Sequence, residues 1–64
     1  MPVIIVKARK GVLDTAEKKA KAIEGMAAAF AEAAGDPAYR ERATVIIEEV
    51  ADENWGRKGK QVGA

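Results

Sequence analysis

The chain is 64 residues long, carries a net charge of +1, and contains neither cysteine nor histidine. This length predicts one small domain spanning residues 1–64, and the composition excludes disulfides, thiolate metal sites and a histidine base. A domain of this size buries only about 60% of its unfolded surface, which leaves oligomerisation as the route to stability. The balanced charge predicts no nucleic-acid or membrane partner, and the lack of a signal-peptide pattern predicts a cytoplasmic location.

The first predicted element is a strand that begins at residues 3–6, where four β-branched apolar residues follow one another. The segment continues through residues 7–10 and ends at Gly11. A continuous apolar run of this kind is typical of a strand that is buried on both faces in a parallel sheet.

A long helix is predicted over residues 15–34. Asp14 is a candidate N-cap, and Glu17, three residues later, completes a capping box. Gly35 is a candidate C′ residue, and Pro37 is expected to prevent the helix from resuming. Apolar residues at spacings of three and four form one helical stripe, made of Ala16, Ala20, Ile23, Ala27, Phe30 and Ala34.

A second β-branched run at residues 44–47, which continues to Val50, follows a polar connection at residues 39–42. Strand, helix and strand in this order form a βαβ unit with parallel strands and a right-handed crossover, so the predicted fold class is α/β. Residues 52–54 are turn-like. Residues 55–64 contain three glycines and are predicted to form a short hairpin or an arm that lies on a neighbouring subunit.

One helix can cover only one face of a two-stranded sheet. Because side chains alternate along a strand, Val3, Ile5, Val45 and Ile47 cannot all point toward the helix. The uncovered face must therefore contact another copy, which predicts a sheet completed by oligomerisation and leaves the number of copies open.

Few residues in the chain can carry chemistry. The chain has no serine, and Gly11 stands alone before the helix rather than in a phosphate-binding loop, so no cofactor or metal is predicted. The remaining candidate is Pro2, because removal of Met1 would expose a secondary amine, and α-amino groups have a pKa of about 7.7–8.0. Burial and nearby cations lower such a pKa, and a neutral amine is a good general base. Alternatively, Pro2 only begins an edge strand, where its missing N–H is harmless.

Several short motifs follow one another along the chain. They are Met1-Pro2 before the β-branched run, Gly11 at its end, residues 14–18 (DTAEK), residues 45–50 (VIIEEV), Asn54-Trp55-Gly56, and Gly59-Lys60. In these patterns, and in its size and spacing, the chain resembles the 4-oxalocrotonate tautomerase family along nearly its whole length.

The resemblance implies a βαβ subunit assembled as a hexamer that is built from dimers, or sometimes as a trimer of longer chains. It implies that the N-terminal proline moves a proton within a small anionic enol or 2-oxo acid, that arginines bind its carboxylates, and that an aromatic residue excludes water. Val12 and Thr44 occupy the places of the family's two usual arginines, which puts a diacid substrate in doubt. The candidate substrate-binding residues are therefore Arg9, Arg40, Arg42, Trp55 and Arg57, and each arginine has a surface or pairing charge as its alternative role.

Three alternatives stay open. A hydratase or dehalogenase of the same superfamily would use a cationic Pro2 as a general acid. A non-enzymatic assembly subunit would not use Pro2 at all. A mixed oligomer would take the missing arginines from a second, related chain.

Overall fold

The computed structural model of the protein describes residues 2–61, and they form a βαβ unit followed by a small hairpin. The second strand runs parallel to the first, which confirms the predicted fold. In chain order the elements are β1 (Val3–Arg9), α1 (Ala16–Ala34), α2 (Tyr39–Arg42), β2 (Thr44–Val50), a 3₁₀ turn (Asp52–Asn54), β3 (Gly56–Arg57) and β4 (Lys60–Gln61). None of the helices in the described part of the chain is long and apolar enough to cross a membrane.

The two long strands pair over their whole length. Val3 lies opposite Thr44 at one end of the sheet, and Arg9 lies opposite Val50 at the other. Backbone hydrogen bonds extend the pairing beyond both ends, from the Thr44 amide to the Pro2 carbonyl at 3.0 Å and from the Lys10 amide to the Val50 carbonyl at 2.8 Å. Pro2 is therefore fixed through its carbonyl to the start of β2.

The start of α1 differs from the prediction by one residue. Thr15 is the N-cap, in an extended conformation, and its Oγ1 accepts a hydrogen bond from the Lys18 amide at 3.1 Å. The prediction that Asp14 caps the helix was wrong, because Thr15 directly precedes the first helical residue and its side chain is the one that reaches the third helical amide. Asp14 instead forms an ion pair with the Lys18 ammonium at 2.8 Å.

The end of α1 matches the prediction. Gly35 adopts the left-handed conformation, with φ of 70°, and its amide is hydrogen-bonded to the Glu32 carbonyl, while the Asp36 amide is bonded to the Ala31 carbonyl. This pair of bonds is a Schellman motif, which favours glycine at the left-handed position.

The polar connection predicted at residues 39–42 contains a short helix that the sequence analysis did not predict. The Arg40 amide is bonded to the Pro37 carbonyl and the Arg42 amide to the Ala38 carbonyl, so a separate helical turn, α2, begins shortly after the proline. Proline is compatible with the first turn of a helix, because the amide that it lacks has no partner there. The ring of Tyr39 packs edge-to-face on Phe30 of α1, with the ring centroids 5.6 Å apart.

The sheet has one covered face and one bare face. Ile4, Val6, Val45 and Ile47 are half-buried on the side of the helix. The opposite side, called the bare face below, carries exposed side chains that alternate with these, namely Val3, Ile5, Lys7, Thr44, Ile46 and Glu48.

A single chain therefore has very little core. Ala27 and Ala31 of α1 are the only buried apolar residues in the described part of the chain. The radius of gyration is 14.2 Å, whereas a compact domain of this length has about 11 Å. β1 was predicted to be buried on both faces, but in one chain it is covered on one face only.

The hairpin confirms one of the two predictions for the tail. β3 and β4 are antiparallel, and the two residues that join them, Lys58 and Gly59, have φ of 56° and 78°. Two positive φ values define the type I′ turn that suits a two-residue hairpin loop. The Gln61 amide side chain donates to the Glu53 carbonyl at 2.9 Å and ties the hairpin to the 3₁₀ turn. The rest of the predicted tail, residues 62–64, lies outside the described residues.

Candidate active site

Pro2 lies at the amino-terminal end of the parallel sheet. It is half-buried, and its carbonyl accepts the amide hydrogen of Thr44. Arg42, the last residue of α2, lies two positions before Thr44 and is therefore at the same end of the sheet. Within residues 2–61, Arg42 forms no ion pair. Arg42 is therefore the predicted substrate-binding arginine that lies at this end of the sheet and has no ion-pair partner within residues 2–61.

Arg9 lies at the opposite, carboxyl-terminal end of β1 and is paired with Asp52. Its Nε donates to Asp52 Oδ1 at 2.6 Å and its Nη2 donates to Oδ2 at 3.1 Å. These hydrogen bonds and the charge of the partner raise the pKa of Arg9, and the Arg9 hydrogen bond lowers the pKa of the Asp52 carboxyl. Two parallel bonds fix the plane of the guanidinium, so this edge of Arg9 is used inside the chain.

Trp55 follows the 3₁₀ turn at the same end of the sheet as Arg9. Its amide is bonded to the Asp52 carbonyl at 3.1 Å, and its side chain is half-buried. A cavity of about 460 Å³, called the Trp55 cavity below, opens there and is lined by Lys7, Val50, Asn54, Trp55 and Gly56. Small-molecule sites have volumes of about 300–1,000 Å³, so this cavity is large enough for a small organic acid.

The two remaining candidates are separate from both places. Arg40 is turned toward α1, where its Nη2 lies 3.5 Å from Oε1 of Glu24. Arg57 lies in β3 with an exposed side chain that makes no ion pair with the other described residues. Its position two residues after Trp55 places it on the hairpin side of the molecule.

The predicted residues therefore form two groups rather than one site. Pro2 and Arg42 are at one end of the sheet, Arg9 and Trp55 are at the other, and Arg40 and Arg57 belong to neither group. Pro2 and Arg9 are seven residues apart on an extended strand, a separation of about 23 Å at about 3.3 Å per residue. A small substrate cannot reach both groups in one chain, so a site containing both requires two copies.

Two residues of this region were missed by the sequence analysis. Asp52 was read as part of a turn, although it holds Arg9 across 43 positions of sequence. Lys7 was read only as the polar end of a strand. No local signal indicated it, because Lys7 pairs with Glu48 in the sheet register and its place beside Trp55 depends on how β1 and β2 align.

Within the described residues no three acidic side chains lie close enough together to hold a metal ion.

The chain is a short βαβ unit whose first strand begins directly after Pro2 and whose sheet has one bare face, which places it among the small α/β proteins. The family model described as "Tautomerase enzyme" matches residues 2–64, so the chain belongs to the tautomerase family. Membership supports an enzyme of the tautomerase superfamily. No curated protein matches the chain.

Proposed function

We propose that the protein is a tautomerase that moves a proton within a small anionic enol or 2-oxo acid, with Pro2 as the general base after Met1 is removed. The observation that carries the proposal is that the family match begins at Pro2, the residue that directly precedes β1 and is held to Thr44 through its carbonyl.

The chemistry follows from the amine that removal of Met1 would expose. While Met1 is attached, the nitrogen of Pro2 belongs to a tertiary amide and cannot accept a proton. Once free, it is a secondary amine whose ordinary pKa is about 7.7–8.0 and which neighbouring cations lower. The neutral amine takes the proton from the enol hydroxyl, and the cationic amine returns it to a carbon of the same substrate. A cation at the carboxylate holds the substrate and stabilises the charge on the developing 2-oxo group.

We propose further that the active site lies between copies. Pro2 and Arg42 of one copy would approach Trp55 of another, because about 23 Å separates Pro2 from Arg9 within one chain. The bare face supports this arrangement, since Ile5 is 54% exposed there and needs a partner surface. A homo-oligomer, with a hexamer as the expected form, would bring Pro2 of one copy to Trp55 of another and would also cover the bare face.

The first test is the intact mass of the purified protein, measured together with its ketonisation of 2-hydroxymuconate and phenylenolpyruvate. The expected result is the loss of one methionine and a turnover that falls in Pro2→Ala, where a primary amine replaces the secondary amine of proline. Pro37→Ala is the matched control, because it removes the other proline and should keep the turnover.

Other outcomes would support the alternatives. A rate that falls as the pH rises through the pKa of Pro2 would indicate a general acid, and hence a hydratase or dehalogenase. Removal of Met1 without turnover on either substrate would indicate a mixed oligomer or another reaction. Met1 retained in protein made by its native host would refute the proposal and leave an assembly role.

A further inference from the structure

The Trp55 cavity contains a cation that the sequence analysis did not select. Lys7 lines this cavity, and its side chain is 68% exposed. Lys7 and Val50 both lie on the bare face, next to the carboxyl ends of β1 and β2. The cavity therefore opens on the face that the helix leaves uncovered.

The donors of Lys7 are free to bind a ligand, whereas one edge of Arg9 is not. The Lys7 ammonium lies 3.9 Å from the nearest oxygen of Glu48, which is beyond the distance of a hydrogen bond. Arg9, two residues further along the same face, already donates from Nε and Nη2 to Asp52. Arg9 also does not line the cavity.

The other walls fit a flat molecule with one polar end. The half-buried Trp55 ring provides an aromatic surface, Val50 adds an apolar contact, and Asn54 supplies an amide group. Aromatic rings stack on planar conjugated groups in offset or edge-on arrangements. A conjugated enol acid or 2-oxo acid is planar and carries a carboxylate, which a lysine binds as a point charge.

We infer that the Trp55 cavity binds the carboxylate end of a small planar 2-oxo or enol acid, with the Lys7 ammonium as its counter-ion. Lys7 thus takes the role for which Arg9 was selected from the sequence. The identity of the ligand rests on the proposed function, but its binding does not depend on turnover.

The test is a titration of the oligomer with benzoylformate, followed by the fluorescence of Trp55, the only tryptophan in the chain. Benzoylformate is a planar 2-oxo acid with no hydrogen beside its carbonyl, so it cannot enolise. Lys7→Met should weaken its binding by about fivefold, the effect of one unit charge at about 4 Å in an exposed site. Lys7→Arg should restore the affinity. Lys10→Gln removes a neighbouring charge that does not line the cavity and should change nothing.

A second pair of variants tests the same idea in the opposite direction. Glu48→Gln removes the carboxylate beside Lys7, so benzoylformate should bind about threefold more tightly, as expected for a repulsion over about 6 Å in water. Glu49→Gln makes the same change in net charge on the covered face, where Glu49 pairs with Lys19, and should leave the affinity unaltered. If Lys7 had only a structural role, benzoylformate would not bind more tightly to Glu48→Gln.

Several results would overturn the inference. One is unchanged binding of benzoylformate to Lys7→Met. Another is binding that is weakened as much in Lys10→Gln as in Lys7→Met. The third is the absence of any change in Trp55 fluorescence when benzoylformate is added to the wild type. The same titration separates this inference from the proposed function, because Pro2→Ala should bind benzoylformate normally. Lys7-dependent binding without Pro2-dependent turnover would refute only the tautomerase proposal. Turnover with an unchanged KM in Lys7→Met would refute only the assignment of the cavity.

Discussion

Replacing Ile5 by threonine should weaken the association of the subunits. Ile5 is 54% exposed on the bare face, and its partner in the sheet register, Ile46, is 43% exposed. Threonine keeps the β-branched shape that suits a strand, but it replaces apolar surface with a hydroxyl. The change therefore tests whether this face is buried against another copy, with little effect on β1 itself.

The size of the effect follows from the exposed area. The chain exposes 4930 Å², whereas a compact monomer of 6.8 kDa would expose about 3,950 Å². Burying a complete isoleucine side chain contributes about 1.5–3 kcal/mol, so covering the exposed half of Ile5 contributes about 1 kcal/mol per copy. A twofold interface contains the residue twice, which gives about 2 kcal/mol and raises the dissociation constant about thirtyfold.

Sedimentation velocity across a range of protein concentrations measures this shift. Val12→Thr is the matched control, since Val12 is 60% exposed but lies in the turn after β1 rather than on the sheet. It should sediment as the wild type does. A wild-type chain that is folded and monomeric at all concentrations would refute the reasoning, and so would equal dissociation of the two variants.

Three further predictions concern the single chain. Gly25→Ala should raise the free energy of unfolding by about 0.5–1 kcal/mol, because the added methyl group meets no atom within 4 Å and glycine is costly inside a helix. Gly35→Ala should lower it by about 1 kcal/mol, because φ is 70° there, and urea unfolding would measure both. Arg9 lowers the pKa of Asp52 in the folded chain. The pair therefore stabilises the fold fully at a pH above the ordinary aspartate pKa. This stabilisation is lost as the pH falls through the lower pKa of the folded chain. An acid step in Trp55 fluorescence should report that loss and be absent in Asp52→Asn; its persistence in that variant would contradict the assignment.

Local patterns predicted most of the fold. The β-branched runs identified β1 and β2, and Gly35 identified the end of α1, because these signals act over a few residues. The N-cap was misplaced by one residue, since Asp14 and Thr15 are both good capping residues and the sequence does not show which one directly precedes the first helical turn. The turn of α2 was missed because it is only four residues long and contains no full apolar stripe.

The candidate site was less predictable, because it depends on contacts between distant positions. The structure places Arg9 and Trp55, two of the five predicted substrate-binding residues, at the carboxyl end of the sheet. Nothing in the sequence indicated that Asp52 would bind one edge of the Arg9 guanidinium, a contact across 43 residues. Nor did it show that Lys7 lines the cavity beside Trp55, which depends on how β1 and β2 align.

Stability and catalysis share one surface in this arrangement. The bare face runs from Val3, next to Pro2, to Lys7 at the Trp55 cavity, so a copy that covers it reaches both ends of the sheet. Only two apolar residues are buried in the described part of the chain, so in the proposed oligomer that copy would supply most of the core. If the proposed composite site is correct, the same copy also supplies the missing half of the site. Dilution of Ile5→Thr should then reduce turnover in parallel with its dissociation, whereas a site within one chain would keep its activity per folded subunit.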